Sequence, residues 1–99
     1  MAQPVYSVWL AKSKDAYYKL SHEERNKLFA KVMQALKEVG GETVIICNSA
    51  WGSENYQNWG VEKFPDIEAV QKHAQLLSEL DWFNYIESTS YLGTELPLG

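Results

Sequence analysis

The residues of this chain with which chemistry would have to be done are few: two histidines, one cysteine, four tryptophans and an arginine set among apolar neighbours. His73, in the stretch "AVQKHAQLL", stands out. On a helix, at about 100° per residue, it falls near the centre of an apolar half made of Ile67, Ala69, Val70, Ala74, Leu76, Leu77 and Leu80. An imidazole in that position titrates near neutral pH and can serve as a general base. Arg25 intrudes in the same way on the apolar arc of an earlier helix, Leu28, Phe29, Val32, Met33, Ala35, Leu36 and Val39, with His22 at the arc's edge. A guanidinium fixed in a dry pocket stabilises a developing oxyanion. His73 as base and Arg25 as its electrostatic partner are therefore the candidate catalytic residues. Asn48, Asp81 and His22 are candidate polar contacts for a ligand, and Trp51, Trp59, Trp82 and Tyr91 are candidate aromatic walls.

Each of these residues also has a quieter reading. His73 can be a buried neutral imidazole donating to a backbone oxygen or to Ser88 or Ser90. Arg25 can pair with Asp81 across the helix ends, fixing packing alone. His22 can simply be solvated, and large aromatics dominate core and interface burial wherever they occur.

The elements that would position these side chains follow from local pattern. "PVYSVWLAK" (residues 4–12) is β-branched and aromatic, and reads as a strand followed by a polar loop or short turn, "SKDAYYKL". Ser21 with Glu24 three residues on is a capping-box pattern, and the helix it opens is stopped by Gly40 and Gly41. "ETVIICNSAW" is a second strand, "GSEN" a turn and "YQNWGVEKF" a third strand. Asp66 is the N-cap of a second helix running to about Asp81, and "YIESTSYLG" is a fourth strand. The order β-α-β-β-α-β is the ferredoxin-like arrangement, an α+β fold with a four-stranded antiparallel sheet and two helices on one of its faces.

In that arrangement the uncovered face of the sheet should be polar. It is not: in the first strand Tyr6, Val8 and Leu10 share one parity while Val5, Trp9 and Ala11 share the other. Two helices cover only one side, so the second side is expected to meet another copy of the same sheet in a two-fold homodimer. A monomer with "SKDAYYKL" folded over that face is the alternative.

Composition narrows the function classes. Ninety-nine residues with 45% hydrophobic content make one domain, residues 1–99. A net charge of -4 with interleaved signs is not the footprint of a nucleic-acid binder. No apolar run reaches membrane-spanning length and the first residues lack a signal-peptide core, so the chain reads as cytoplasmic with no membrane partner. The single Cys47 excludes an internal disulfide and a cysteine-based zinc site. Two histidines with no third ligand at metal spacing leave no metal expected, and no cofactor motif is present.

The element order, the two-faced sheet and the short length resemble the dimeric α/β-barrel superfamily, which includes antibiotic-biosynthesis monooxygenases, muconolactone isomerase-like, EthD-like and haem-degrading proteins. The stretches "YSVWLAKSKDAYYKLSHEERNKLFAKVMQAL" and "LDWFNYIESTSYLGTELP" are similar to the darcynin-like proteins, through a leucine before the helix, the Glu24-Arg25 pair and the tyrosine-then-glycine ending. The resemblance implies a pocket in each subunit between helices and sheet, and in several relatives oxygen or proton chemistry without metal or flavin. The haem-degrading relatives use Asn, Trp and His from the first strand, third strand and second helix. Trp59 and His73 lie on matching elements, but "VYSVWLAK" has no Asn.

The expectation is thus a homodimer that binds a small aromatic or anionic molecule, as a cofactor-free monooxygenase or isomerase with His73 as base. A binding or assembly module without turnover is the alternative, because no nucleophile–base pair, HExxH, phosphate loop or carboxylate dyad is present. Haem binding is a weaker third reading.

Overall fold

A computed structural model describes residues 3–98 of the chain. Val5–Ser13 forms β1, and Asp15–Tyr18 forms a single helical turn, α1, within the polar stretch that follows. The long helix α2 spans His22–Glu38. Its start is the capping box read from the sequence: the Glu24 N–H donates to Ser21 Oγ at 3.1 Å, and the Ser21 N–H donates to Glu24 Oε1 at 2.9 Å. Gly40, at φ 77°, lets the chain turn off the helix end. The strands β2 (Glu42–Asn48) and β3 (Asn58–Phe64) follow, then α3 (Ile67–Glu79), whose first turn is capped by Asp66 Oδ1 accepting from the Ala69 N–H at 2.8 Å.

Two boundaries differ from expectation. The second helix stops at Glu79 rather than Asp81, because Asp81 takes the left-handed conformation (φ 57°) and redirects the chain into one further turn, α4 (Trp82–Tyr85), before β4 (Ile86–Gly93). The β2–β3 connection is longer than the "GSEN" turn and occupies residues 49–57. Local side chains hold it. Ser49 Oγ donates to Tyr56 O at 2.9 Å, Ser53 Oγ accepts from the Asn55 and Tyr56 N–H groups, and Gln57 Oε1 accepts from the Ser13 N–H at 3.0 Å.

The sheet has strand order β2-β3-β1-β4 with every neighbouring pair antiparallel, which is the ferredoxin-like topology. Helices α2 and α3 lie together on one face. The core there is Leu36, Phe64 and Ala69, with Met33, Val39 and Val70 packed against it. Phe64 is 1% exposed, and burying a side chain of that kind contributes about 1.5–3 kcal/mol. The apolar arcs read from the helices are wider than the stripe the sheet covers: Phe29 and Ile67, assigned to those arcs, are each about half exposed.

Register fixes which strand residues look where. Val5 pairs with Phe64, Ser7 with Glu62, Trp9 with Gly60 and Ala11 with Asn58, and this parity faces the helices. The other parity, Tyr6, Val8 and Leu10 with Lys63, Val61 and Trp59, faces away. A bulge between Thr43 and Ile45 brings Ile45 opposite Val61 and Cys47 opposite Trp59 on that outer side.

Candidate functional site

The structure distributes the residues singled out by sequence over three places. His73 is 8% exposed, in the layer between α3 and the sheet. Its ring packs on Phe64 with centroids 5.2 Å apart, and its Nε2 is buried without a hydrogen-bond partner among the described residues. Burial lowers the His73 pKa from its usual value, so the imidazole is neutral near neutral pH. No bond to Ser88 or Ser90 forms at Nε2.

Arg25 lies elsewhere. In the first turn of α2, it donates through Nη2 to Tyr18 O at 3.1 Å, and its guanidinium carbon stands 4.9 Å from the Tyr17 ring centroid. These contacts clamp α1 against α2. α1 follows the end of β1, whereas His73 sits over Phe64, which pairs with Val5 at the start of β1. Eight residue steps along a strand cover roughly 26 Å, so the two residues occupy opposite ends of the sheet. The structure does not bring Arg25 and His73 together, and no ion pair between Arg25 and Asp81 forms among the described residues. His22 and Asp81 are exposed, and Trp82 is half-buried in α4.

The third place is the hairpin end of the sheet's outer side. There Asn48, Trp51 and Trp59 come together with Leu10, Cys47 and Tyr56 around an open cleft of about 570 Å³. Asn48 is already engaged, its Oδ1 accepting from the Ala50 N–H at 3.0 Å. Trp51 is 87% exposed at the loop tip, and Tyr91 is on the outer side of β4, opposite Val8.

Two residues in the helix-facing layer were not singled out from the sequence. Glu62 shares its parity with Gly60 and Phe64 and stands between Ser7 on β1 and Thr43 on β2. Burial pushes its carboxyl up to about 7, and no cation pairs with it among the described residues. Trp9 lies flat over Gly60: a Cβ at Gly60 would meet Trp9 Cζ2 at 2.6 Å, so only glycine leaves room for the indole. Trp9 Nε1 is buried without an acceptor. The alternation in "NWGVEKF" was the available signal, since it places a glutamate on the same side as the most buried aromatic of the chain.

The helix–sheet layer therefore holds a neutral imidazole, a carboxyl whose protonation changes near neutral pH, a buried hydroxyl-bearing residue (Ser7, 6% exposed) and an indole N–H without an acceptor. Such a set can accept, hold and donate protons in a poorly hydrated space. No group of three or more His, Cys, Asp or Glu suited to a metal ion occurs among the described residues. No described helix is long and apolar enough to cross a membrane.

The chain belongs to a protein family of unknown function, DUF6616, which matches residues 5–98. No curated protein matches it. Its structure is similar to that of a mutant chlorite dismutase from Candidatus Nitrospira defluvii, with TM-score 0.76 and 18% identity over 99% of this chain and 42% of that one. It is similar also to a protein of unknown function from Rhodopseudomonas palustris (TM-score 0.65, 12% identity, 98% of this chain and 85% of that chain). A third similar structure is the hydroxynitrile lyase of Passiflora edulis (TM-score 0.59, 12% identity, 97% and 98%). This chain spans less than half the length of the chlorite dismutase. The likeness establishes the fold alone, the ferredoxin-like arrangement that the sequence led one to expect.

Proposed function

We propose that this chain is a homodimeric small-molecule-binding protein whose site is the layer between α3 and the sheet, with His73 as a neutral proton acceptor. The observation that carries the proposal is His73 Nε2, buried and without a partner. A buried polar atom left unpaired costs about 1–3 kcal/mol, and a guest that supplies the missing bond recovers that cost. An imidazole kept neutral by burial can take a proton from a phenol or an acidic C–H, the first step in cofactor-free monooxygenation or isomerisation. Neighbours named chlorite dismutase and hydroxynitrile lyase carry small-molecule chemistry on this fold, a fold-level analogy that supports the reading. The dimer rests on the outer side of the sheet, where Val8, Ile45, Trp59 and Tyr91 are 37–66% exposed.

A fragment titration followed by amide NMR tests the site. Small phenols and aromatic ketones are expected to perturb the amides around Phe64 and His73, and the perturbation should vanish in His73→Phe. Responses confined to residues 47–59 would place binding in the hairpin cleft and overturn the proposal.

A further inference from the structure

Two buried polar atoms of the helix-facing layer lack partners, Trp9 Nε1 and His73 Nε2, and the half-buried carboxyl of Glu62 stands on the strand between the positions they cover. The three groups follow β3. Trp9 lies over Gly60, Glu62 is the next residue of that parity, and His73 packs on Phe64, the one after. Residues two apart on a strand face are separated by roughly 7 Å, so the three anchor points follow one another over roughly 13 Å of the helix-facing side, with the Phe64 end under α3. The indole nitrogen only donates, and therefore calls for an acceptor; the carboxyl and the imidazole can each meet a hydroxyl.

What the line lacks is equally informative. Arg25 is held on α1 by Tyr18 and Tyr17, and Lys63 has the opposite parity, its ammonium 5.9 Å from the Tyr6 ring on the outer side. Lys27, Lys31, Lys37 and Lys72 of the two helices are exposed. An anion entering the layer would lose its hydration, meet no counter-charge and face the Glu62 carboxyl, a combination that strongly disfavours binding.

Building on the interlayer reading above, we infer that Trp9, Glu62 and His73 form a three-point site selecting an uncharged ring compound with a hydroxyl or carbonyl oxygen and excluding its carboxylate analogue. The oxygen accepts from Trp9 Nε1–H, and a hydroxyl of the guest bonds to Glu62 or His73. Glu62 is the group that sets the charge preference, and Gly60 is the position that keeps the indole in place.

Calorimetric titration with 2-naphthol and 2-naphthoate near neutral pH, with amide spectra recorded on the same samples, tests this. The wild-type protein is expected to bind the naphthol at least about tenfold more tightly than the naphthoate, the value of one hydrogen bond to a charged group. Glu62→Gln keeps the shape and removes the charge, so it should shrink that preference to about threefold or less. Trp9→Phe keeps an aromatic side chain, though a smaller one, and removes the donor, so it should weaken both probes by about tenfold. Dispersed amide spectra establish that each variant is folded. If both probes perturb Phe64 and His73 without preference, or if Glu62→Gln leaves the preference unchanged, this inference is wrong while the interlayer site stands. If neither probe perturbs those residues, the interlayer reading fails and the inference with it.

Discussion

The two sides of the sheet each depart from what a lone domain would choose, the enclosed one by polar groups set into its apolar core and the open one by its exposed apolar residues. The enclosed side, under α2 and α3, carries Ser7, Glu62, His73 and the Trp9 N–H, two of them buried with no partner. The open side carries Val8, Leu10, Ile45, Trp59, Val61 and Tyr91, several of them two-fifths or more exposed. Each side alone is costly, one by unpaired polar groups and the other by wetted apolar area. A second copy against the open side and a polar guest in the enclosed one, as proposed above, would relieve both. The contrast teaches that the apolar core around Phe64, Leu36 and Ala69 has polar groups set directly into it, His73 packing on Phe64 itself.

The largest effect is expected on the open side. Val8→Asp places a carboxylate at the middle of that face on both protomers, at about 3–5 kcal/mol for each uncompensated buried charge. Sedimentation at micromolar concentration should show the wild-type chain at about twice 11.3 kDa and the variant at 11.3 kDa. A wild-type chain that sediments only as the smaller species would end the two-sided account.

A second test contrasts two glycines of the hairpin region. Gly60→Ala forces its Cβ to within 2.6 Å of Trp9 and 2.7 Å of Ile45 O, and should cost about 1–3 kcal/mol in urea unfolding. Gly52→Ala meets nothing within 4 Å and should stay within about 0.5 kcal/mol of wild type.

The two buried titratable groups sharpen the enclosed side, because their slopes oppose each other. Between pH 4.5 and about 7 folded Glu62 keeps a proton that the unfolded chain has lost, so stability falls as pH rises through that window and stays lower above it. His73 has its pKa lowered from 6.5, so below that value the unfolded imidazole gains a proton that the folded one refuses, and stability falls as pH falls. Glu62→Gln should therefore be more stable than wild type by about 1–2 kcal/mol above pH 7 and equal to it below pH 4.5. His73→Phe should lose only the acid-side slope. Urea midpoints across pH at fixed protein concentration read both. The smallest effect belongs to the rim of the open side: Lys12→Ala removes a half-exposed pair with Glu87 at 3.1 Å and should change stability by less than about 0.5 kcal/mol.

Much of the scaffold was legible from the residues. The capping box at Ser21, the Asp66 cap and the doubly apolar first strand are local signals, and each reads the same in isolation as in the folded chain. The inward turn of His73 followed from helical periodicity alone. What failed was long-range placement. Arg25 shares an apolar arc with Leu28 and Val32, yet its partners are supplied by α1, a four-residue turn that propensity does not announce. Glu62 was passed over because a charged residue in an alternating strand is ordinarily solvated, and only its pairing with Ser7 and Thr43 reveals the covered side. Asn48, Trp51 and Trp59 do cluster, but around a cleft on the outer side, because strand parity rather than residue type decides the side on which Trp59 lies.

As proposed, the layer between α3 and the sheet is a binding site and not a packing seam. The most direct measurement is a crystal structure of the protein purified without an imidazole step and soaked with 2-naphthol, read at His73 and Glu62. The expected result is density for the probe in this layer, with its hydroxyl oxygen within hydrogen-bond distance of His73 Nε2 or of the neighbouring Glu62 carboxyl. Density for the probe only in the hairpin cleft, with His73 Nε2 and Trp9 Nε1 closed over by the chain's own side chains, would contradict it.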